Sequence, residues 1–207
     1  MSRITTLEQL RRVIPQARPT THAKILRQLD AQSIEFLAAS PFALMATTRA
    51  DGSIEVSPKG DAPGFARVED PRTLLLPERA GNNLAFGLQN ILDNGRVGMI
   101  FLRPGTGETL RLSGRAEILD DAALVATLGS AGRPALLAIR VRIERCYFHC
   151  ARAVLRAGLW RPESWPEAQR VSFGRIIAGA TGGDAAQAAS IDARVEAGYA
   201  ARLWSNE

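Results

Sequence analysis

Cysteine, lysine and histidine are nearly missing from this chain of 207 residues. The two cysteines, Cys146 and Cys150, exclude a disulfide-stapled scaffold. In an extended strand their Cα atoms stand roughly 13 Å apart, beyond the reach of a bridge. The two histidines, His22 and His149, make no evident catalytic relay, and no G-x-S-x-G elbow occurs. Cys146, His149 and Cys150 lack a fourth metal ligand nearby, so no metal site is expected and the cysteines read as buried structural residues. No apolar run approaches the roughly 20 residues of a spanning helix. The opening MSRITTLEQLRR lacks the apolar core of a secretory signal. A cytoplasmic protein with no membrane partner is the expectation.

What is present is ordinary for a globular chain: 46% hydrophobic and 23% charged residues. The net charge is +5 and the isoelectric point near 10.0. Only Lys24 and Lys59 are lysines; every other basic side chain is an arginine. Arginine forks grip planar anions and phosphates, which a lysine meets only as a point charge. The arginines are scattered, without a basic block or interleaved aromatics, so nucleic acid is not an expected partner. A discrete anionic ligand or a solvated arginine surface fits the pattern.

Hydrophobic spacing predicts a helix over 6–13 and a second from Thr20 or Thr21 to about Ala38. Strands follow. Phe42–Thr48 pairs with Ile54–Ser57 across an Asp51-Gly52 turn, and 58–64 reads as a loop. Phe65–Val68 is a short candidate strand and Thr73–Leu76 a clear one. A helix over Asn83–Leu92 precedes three strands: Val97–Leu102, Glu108–Leu119 and Leu136–Phe148. A short helix to about Leu128 separates the last two. Three further helices are expected over 150–159, 166–180 and 184–203. Consecutive strands on short turns imply antiparallel pairing, and no G-x-G-x-x-G opens a helix after a strand. The chain divides into N-terminal helices (1–40), a sheet domain (41–160) and C-terminal helices (161–207).

Three stretches could hold a phosphate. Ser57-Pro58-Lys59-Gly60-Asp61 offers a hydroxyl, a lysine and glycine-assisted backbone, or else a plain hairpin exit. Pro77-Glu78-Arg79-Ala80-Gly81-Asn82-Asn83 sits before a helix start, where free N–H groups attract anions. Asn82 could equally be a simple cap. Arg111, Ser113 and Arg115 share one strand face, which could also be a solvent face.

In this order, SPKGDAPGF (57–65), LLLPERAGNNLAFGLQNILDNGRVGMIFL (74–102) and GETLRLSGRAEI (107–118) resemble the pyridoxamine 5'-phosphate oxidase-like family of FMN-binding split barrels. The resemblance is strongest over about 35–160. It is closest to a bacterial subgroup of FMN-dependent proteins, most of whose members have no assigned substrate. It implies a six-stranded antiparallel split β-barrel with flanking helices, and a homodimer with FMN at the subunit interface. By position, Arg79, Asn82 and Asn83 would hold the phosphate, with Lys59 and Arg111 adding charge. The Val56-Ser57-Pro58 backbone would line the ring edge, and Leu76 and Pro77 would wall the site. Arg156, Leu159 and Trp160 of the second subunit would close it.

The substrate machinery of true pyridoxamine phosphate oxidases has no counterpart. Their Tyr-x-x-x-Arg-x-x-x-Ser helix is missing between Gly114 and Ile139, and Arg156-Ala157-Gly158-Leu159-Trp160 stands where an Arg-x-His belongs. Ile54 replaces the family's arginine at the start of the second strand. The functional expectation is therefore an FMN-dependent oxidoreductase that passes a hydride between flavin N5 and a small substrate other than pyridoxamine phosphate. A non-catalytic FMN or haem carrier, with His149 as a possible axial ligand, is the competing reading. A deazaflavin would need a longer basic groove.

Overall fold

The computed structural model describes residues 3–201 and residue 203. Seven strands form one antiparallel sheet: β1 (Phe42–Thr48), β2 (Ile54–Gly60), β3 (Arg67–Asp70), β4 (Thr73–Glu78), β5 (Arg96–Leu102), β6 (Thr109–Leu119) and β7 (Leu137–His149). Their order is β2-β1-β5-β6-β7-β4-β3. The expected six-stranded split barrel is corrected here to a seven-stranded open sheet. Residues 67–70 add a seventh strand, and no ladder joins the two edge strands β2 and β3.

The sheet nevertheless curls around one core. Ala43 and Met45 near one edge pack in the same cluster as Leu74 and Leu76 near the other. Period-2 alternation decides this. Val97, Met99 and Phe101 of β5, Leu110 and Leu112 of β6, and Ile139, Val141 and Ile143 of β7 all point inward. β4 is buried on both faces, because Leu75 on its outer side packs with Ala138 and Leu128 beside helix α5 (Ala122–Thr127).

One irregularity re-aims part of the sheet. Ser113 pairs with Arg145 but Gly114 pairs with Ile143, so Glu144 is an extra residue on β7. A Cβ on Gly114 would collide with the Arg142 carbonyl oxygen, so only glycine admits the bulge. Beyond it the inward phase switches from odd to even numbers, and Cys146 becomes the buried residue.

The N-terminal region departs from the expected long helix over 20–38. Helix α1 (Leu7–Val13) is followed by the short α2 (Pro19–Ala23) and by α3 (Ala31–Ala38), and 24–30 is not helical. There Leu26 exchanges two backbone hydrogen bonds with Cys146, at 2.9 and 2.8 Å. Asp30 caps α3 by accepting from the Ser33 N–H, and the Ser33 side chain first and this N–H second hold its carboxyl below the usual carboxylate range. A tertiary backbone partner thus outweighs local helical spacing. The Cys146 thiol donates to the Gln28 carbonyl at 3.0 Å, and burial pushes its pKa up.

Helix α4 (Phe86–Asn94) fills the gap between β4 and β5, starting three residues later than expected. Helix α6 (Arg152–Ala157) and a 3-10 turn (Pro162–Ser164) follow β7. The expected helix over 166–180 is confined to α7 (Phe173–Thr181), which Ser172 starts by capping the Arg175 N–H. It pairs with α8 (Ala185–Ala201). Asp192 of α8 accepts from the Ser172 hydroxyl and from the Gly174 N–H, tying the two helices together. No helix among the described residues is long and apolar enough to cross a membrane.

Two measurements test this framework. Gly114→Ala is expected to cost about 3 kcal/mol in urea unfolding, because the collision lies with backbone rather than a movable side chain. The second concerns Asp192, whose carboxyl lies below its usual range chiefly through the Ser172 hydroxyl and then through the Gly174 N–H. A depressed carboxylate stabilises fully above its unfolded value near ~3.9 and loses that effect as pH falls through the lower folded value. The Tm gap between wild type and Asp192→Asn should therefore be full above about pH 5 and close below about pH 4.

Candidate functional site

Where the sheet fails to close, side chains span the gap. β2 runs through Pro58 and Lys59 to Gly60, so residues expected in a loop extend the strand. Glu55, Ser57 and Lys59 alternate onto its more buried side, while Ile54, Val56, Pro58 and Gly60 face outward. Lys59 Nζ reaches Glu78 Oε2 at the end of β4, at 2.5 Å. One residue beyond the end of each strand, Arg79 Nε donates to Asp61 Oδ2 at 2.7 Å. Asp61 is almost sealed, its side chain 2% exposed, and it also accepts from the Ser130 hydroxyl at 2.7 Å. Arg79 Nη2 donates to the Leu128 carbonyl at 2.7 Å. Two ion pairs thus close the seam that the backbone leaves open.

Above this floor lies a cavity of about 780 Å³. Ser57, Lys59, Pro77, Arg79 and Asn82 line it, with Phe86, Gly87 and Leu88 of α4 as a further wall. The loop from β4 to α4 is strained. Asn83 and Ala85 hold positive φ angles of 60° and 52°, a conformation that costs a non-glycine residue on the order of 1 kcal/mol or more. Asn82 does not cap α4; its Oδ1 accepts from the Leu84 N–H in a local turn, and no side chain caps the helix start. The uncapped N–H groups of Phe86, Gly87 and Leu88 therefore border the cavity.

Of the residues singled out from the sequence, Ser57, Pro58, Lys59, Pro77, Arg79 and Asn82 meet here. Asn83 lines an adjoining groove that reaches Phe173 and Tyr199 of the C-terminal helices. Val56 points outward and is 54% exposed, and Leu76 is turned into the core. Arg111 lies on the outer face of β6, its guanidinium 5.5 Å from the Tyr147 ring centre and 3.4 Å from His149 Nδ1. It does not line the cavity of its own chain. Arg156 is exposed in the last turn of α6, Leu159 lies just beyond that helix, and the Trp160 indole N–H donates to the Thr106 carbonyl at 2.8 Å.

Sequence reasoning missed Glu78, Asp61 and Ser130. Their pairing depends on the curl of the sheet; Asp61 and Glu78 lie within the 57–61 and 77–83 stretches, whereas Ser130 carried no local signal.

The donor set suits a phosphate-bearing cofactor. Lys59 and Arg79 each retain N–H groups beyond those given to Glu78 and Asp61. The Asn82 amide and the free end of α4 add neutral donors beside them. Hydrophobic walls and a few convergent polar groups are the usual composition of a cofactor cavity.

An antiparallel sheet curled around one core and split along a polar seam defines a class of ligand-binding β fold. Residues 29–150, more than half of the chain, match the model of the pyridoxamine 5'-phosphate oxidase family. The chain belongs to that family. Among solved structures, HupZ of Group A Streptococcus is 24% identical over a match covering 58% of this chain and 94% of that one, with a TM-score of 0.46. A Clostridium acetobutylicum protein related to general stress protein 26 is 17% identical, covering 57% and 86%, with a TM-score of 0.45. An FMN-binding protein from Syntrophomonas wolfei subsp. wolfei is 9% identical, covering 56% and 80%, with a TM-score of 0.42. No curated protein matches the chain.

The seam pairs can be tested directly. Asp61→Asn leaves the Arg79 charge unpaired beneath the cavity and should cost about 3 kcal/mol. The double variant Asp61→Asn/Arg79→Met should recover more than half of that loss in a denaturant-based double-mutant cycle.

Proposed function

We propose that the protein is an FMN-dependent oxidoreductase acting on a small substrate. The observation that carries this reading is the convergence of Lys59, Arg79 and Asn82 on one cavity at the open seam of a fold belonging to this family. When bound, FMN supplies hydride transfer at its N5.

The chain's own residues do the rest. Lys59 and the free Nη1 of Arg79 hold the phosphate, whose charge of about −1.5 to −2 needs more than one donor. The Asn82 and Asn83 amides and the N–H groups at the start of α4 complete that grip. The carboxylates of Glu78 and Asp61 fix the two cations in place, so the phosphate meets donors already ordered. The Val56-Ser57-Pro58 backbone lines the ring edge, and Pro77, Phe86 and Leu88 keep water from its apolar part. No side chain is assigned as acid or base. The missing Tyr-x-x-x-Arg-x-x-x-Ser helix argues for a substrate other than pyridoxamine phosphate.

The unit is a homodimer. Ile54, Val56 and Pro58 of β2 lie beside Leu44 and Phe42 of β1 on one outer face, and all but Pro58 are large hydrophobics more than a third exposed. A second copy of the same face would cover this patch. In that arrangement Arg111, Arg156 and Trp160 of one copy would approach the seam of the other, since none of them lines its own. His149 fits a haem ligand poorly, because an Arg111 N–H lies within reach of its Nδ1.

Absorption of the purified protein, followed by release of its chromophore, tests the reading. A flavin spectrum with FMN released is expected, and Lys59→Ala should weaken FMN retention at least tenfold, the loss of one charge-assisted contact. A protein that is colourless and takes up no added FMN would overturn it. Sedimentation should give a dimer that Val56→Asp dissociates.

A further inference from the structure

The second site lies on the opposite side of the sheet. Arg96, Arg115 and Arg142 stand directly opposite one another on three adjacent strands, β5, β6 and β7. Directly opposed like charges destabilise a sheet, so this row needs a counter-charge. Two carboxylates approach it among the described residues: Asp70, which feels the charge of Arg142, and Glu144. Glu144 lies 3.0 Å from Arg96 and 3.9 Å from Arg115. It is the extra residue of the β7 bulge, and the same bulge leaves Glu144 and Arg145 both exposed in succession. Arg145 sits across from Ser113. Arg27 closes the group, because the backbone pairing of Leu26 with Cys146 brings its segment to the edge of β7. Arg27, Arg96, Arg145, Ser113 and Glu144 line one groove of about 780 Å³. With Arg115 and Arg142 beside it, the groove and its border carry five arginines against the two carboxylates Glu144 and Asp70, a net positive charge.

We propose that this groove is an anion site for a small ligand carrying several linked phosphates. Three features select that class. Arginine forks match phosphate oxygens. Neighbouring strands are about 4.8 Å apart, so the row Arg96–Arg115–Arg142 extends about 10 Å and offers more than a single phosphate can use. The positive stretch is also bounded on one side. Arg140 is neutralised there by Glu69 and Glu117, while on the other side the face of β6 continues through Ser113 to Arg111. A nucleic acid would want an open track with stacking aromatics, but no aromatic residue lines the groove among the described residues, and the Tyr147 ring on β7 is faced by Lys24 and Arg111. The site does not depend on the flavin reading.

Isothermal titration of the full-length protein with inorganic tripolyphosphate at low salt tests the proposal. One saturable tripolyphosphate per chain is expected, bound at least tenfold tighter than orthophosphate. Arg115→Gln and Arg145→Gln should each weaken it about tenfold or more, and Glu144→Gln should strengthen it severalfold. Arg27→Gln, on an exposed segment outside the sheet, should weaken it even if a strand variant unfolds. Flavin content should be the same in all four variants. Absence of saturable binding, or binding indifferent to these substitutions, would overturn the proposal. So would single-stranded oligonucleotides whose affinity rises steadily with length and exceeds that of tripolyphosphate.

Discussion

The pairing of two cations with two carboxylates across an unclosed seam is the constraint on which the site depends. An edge strand exposes unpaired N–H and C=O groups, and a curled sheet normally removes that liability by completing its ladder. Here β2 and β4 approach without pairing. Lys59–Glu78 and Arg79–Asp61 join them through side chains instead. Ion pairs this sheltered lose much of their attraction to desolvation, so they define geometry more than they add stability. Their effect is to hold a gap of fixed width. A continuous ladder in the same place would have left no cavity.

The strained loop above the seam belongs to the same arrangement. Asn83 and Ala85 accept an unfavourable backbone conformation, and as a result α4 begins with uncapped N–H groups beside Lys59 and Arg79. Strain of this kind persists only where the surroundings over-determine it. Phe86–Leu88 against the cavity and Ile91 in the core supply that restraint. On the outer face the bulge at Glu144 has a comparable effect. One residue too many on β7, tolerated because Gly114 has no side chain, turns two consecutive charged groups to solvent.

Much of the fold was legible from periodicity. The inward residues of β5, β6 and β7 up to the bulge alternate as the sequence pattern requires, and the Asp51-Gly52 turn joins β1 and β2 as expected. Local pattern failed where a distant backbone competed. The spacing of Ile25, Leu26 and Leu29 reads as helix, but Leu26 pairs with Cys146, far away in sequence. Pro58-Lys59-Gly60 reads as loop because proline and glycine disfavour strands, yet an edge strand needs hydrogen bonds on one side only. The candidate site was half legible. Lys59, Arg79 and Asn82 carried a motif; Glu78 stood inside one without a role that spacing could reveal, and Ser130 had none.

The sequence by itself determined the inward and outward faces of β5, β6 and β7 up to the bulge, the Asp51-Gly52 turn, and the family. These rest on residue spacing and side-chain chemistry within a few positions. Only the tertiary structure decided that the sheet stays open, that arginines scattered from residue 27 to residue 145 share one groove, and that Arg111 lies outside its own chain's cavity. Register and curl are set by contacts between residues far apart along the chain. Their energies depend on how the whole core closes rather than on any local stretch.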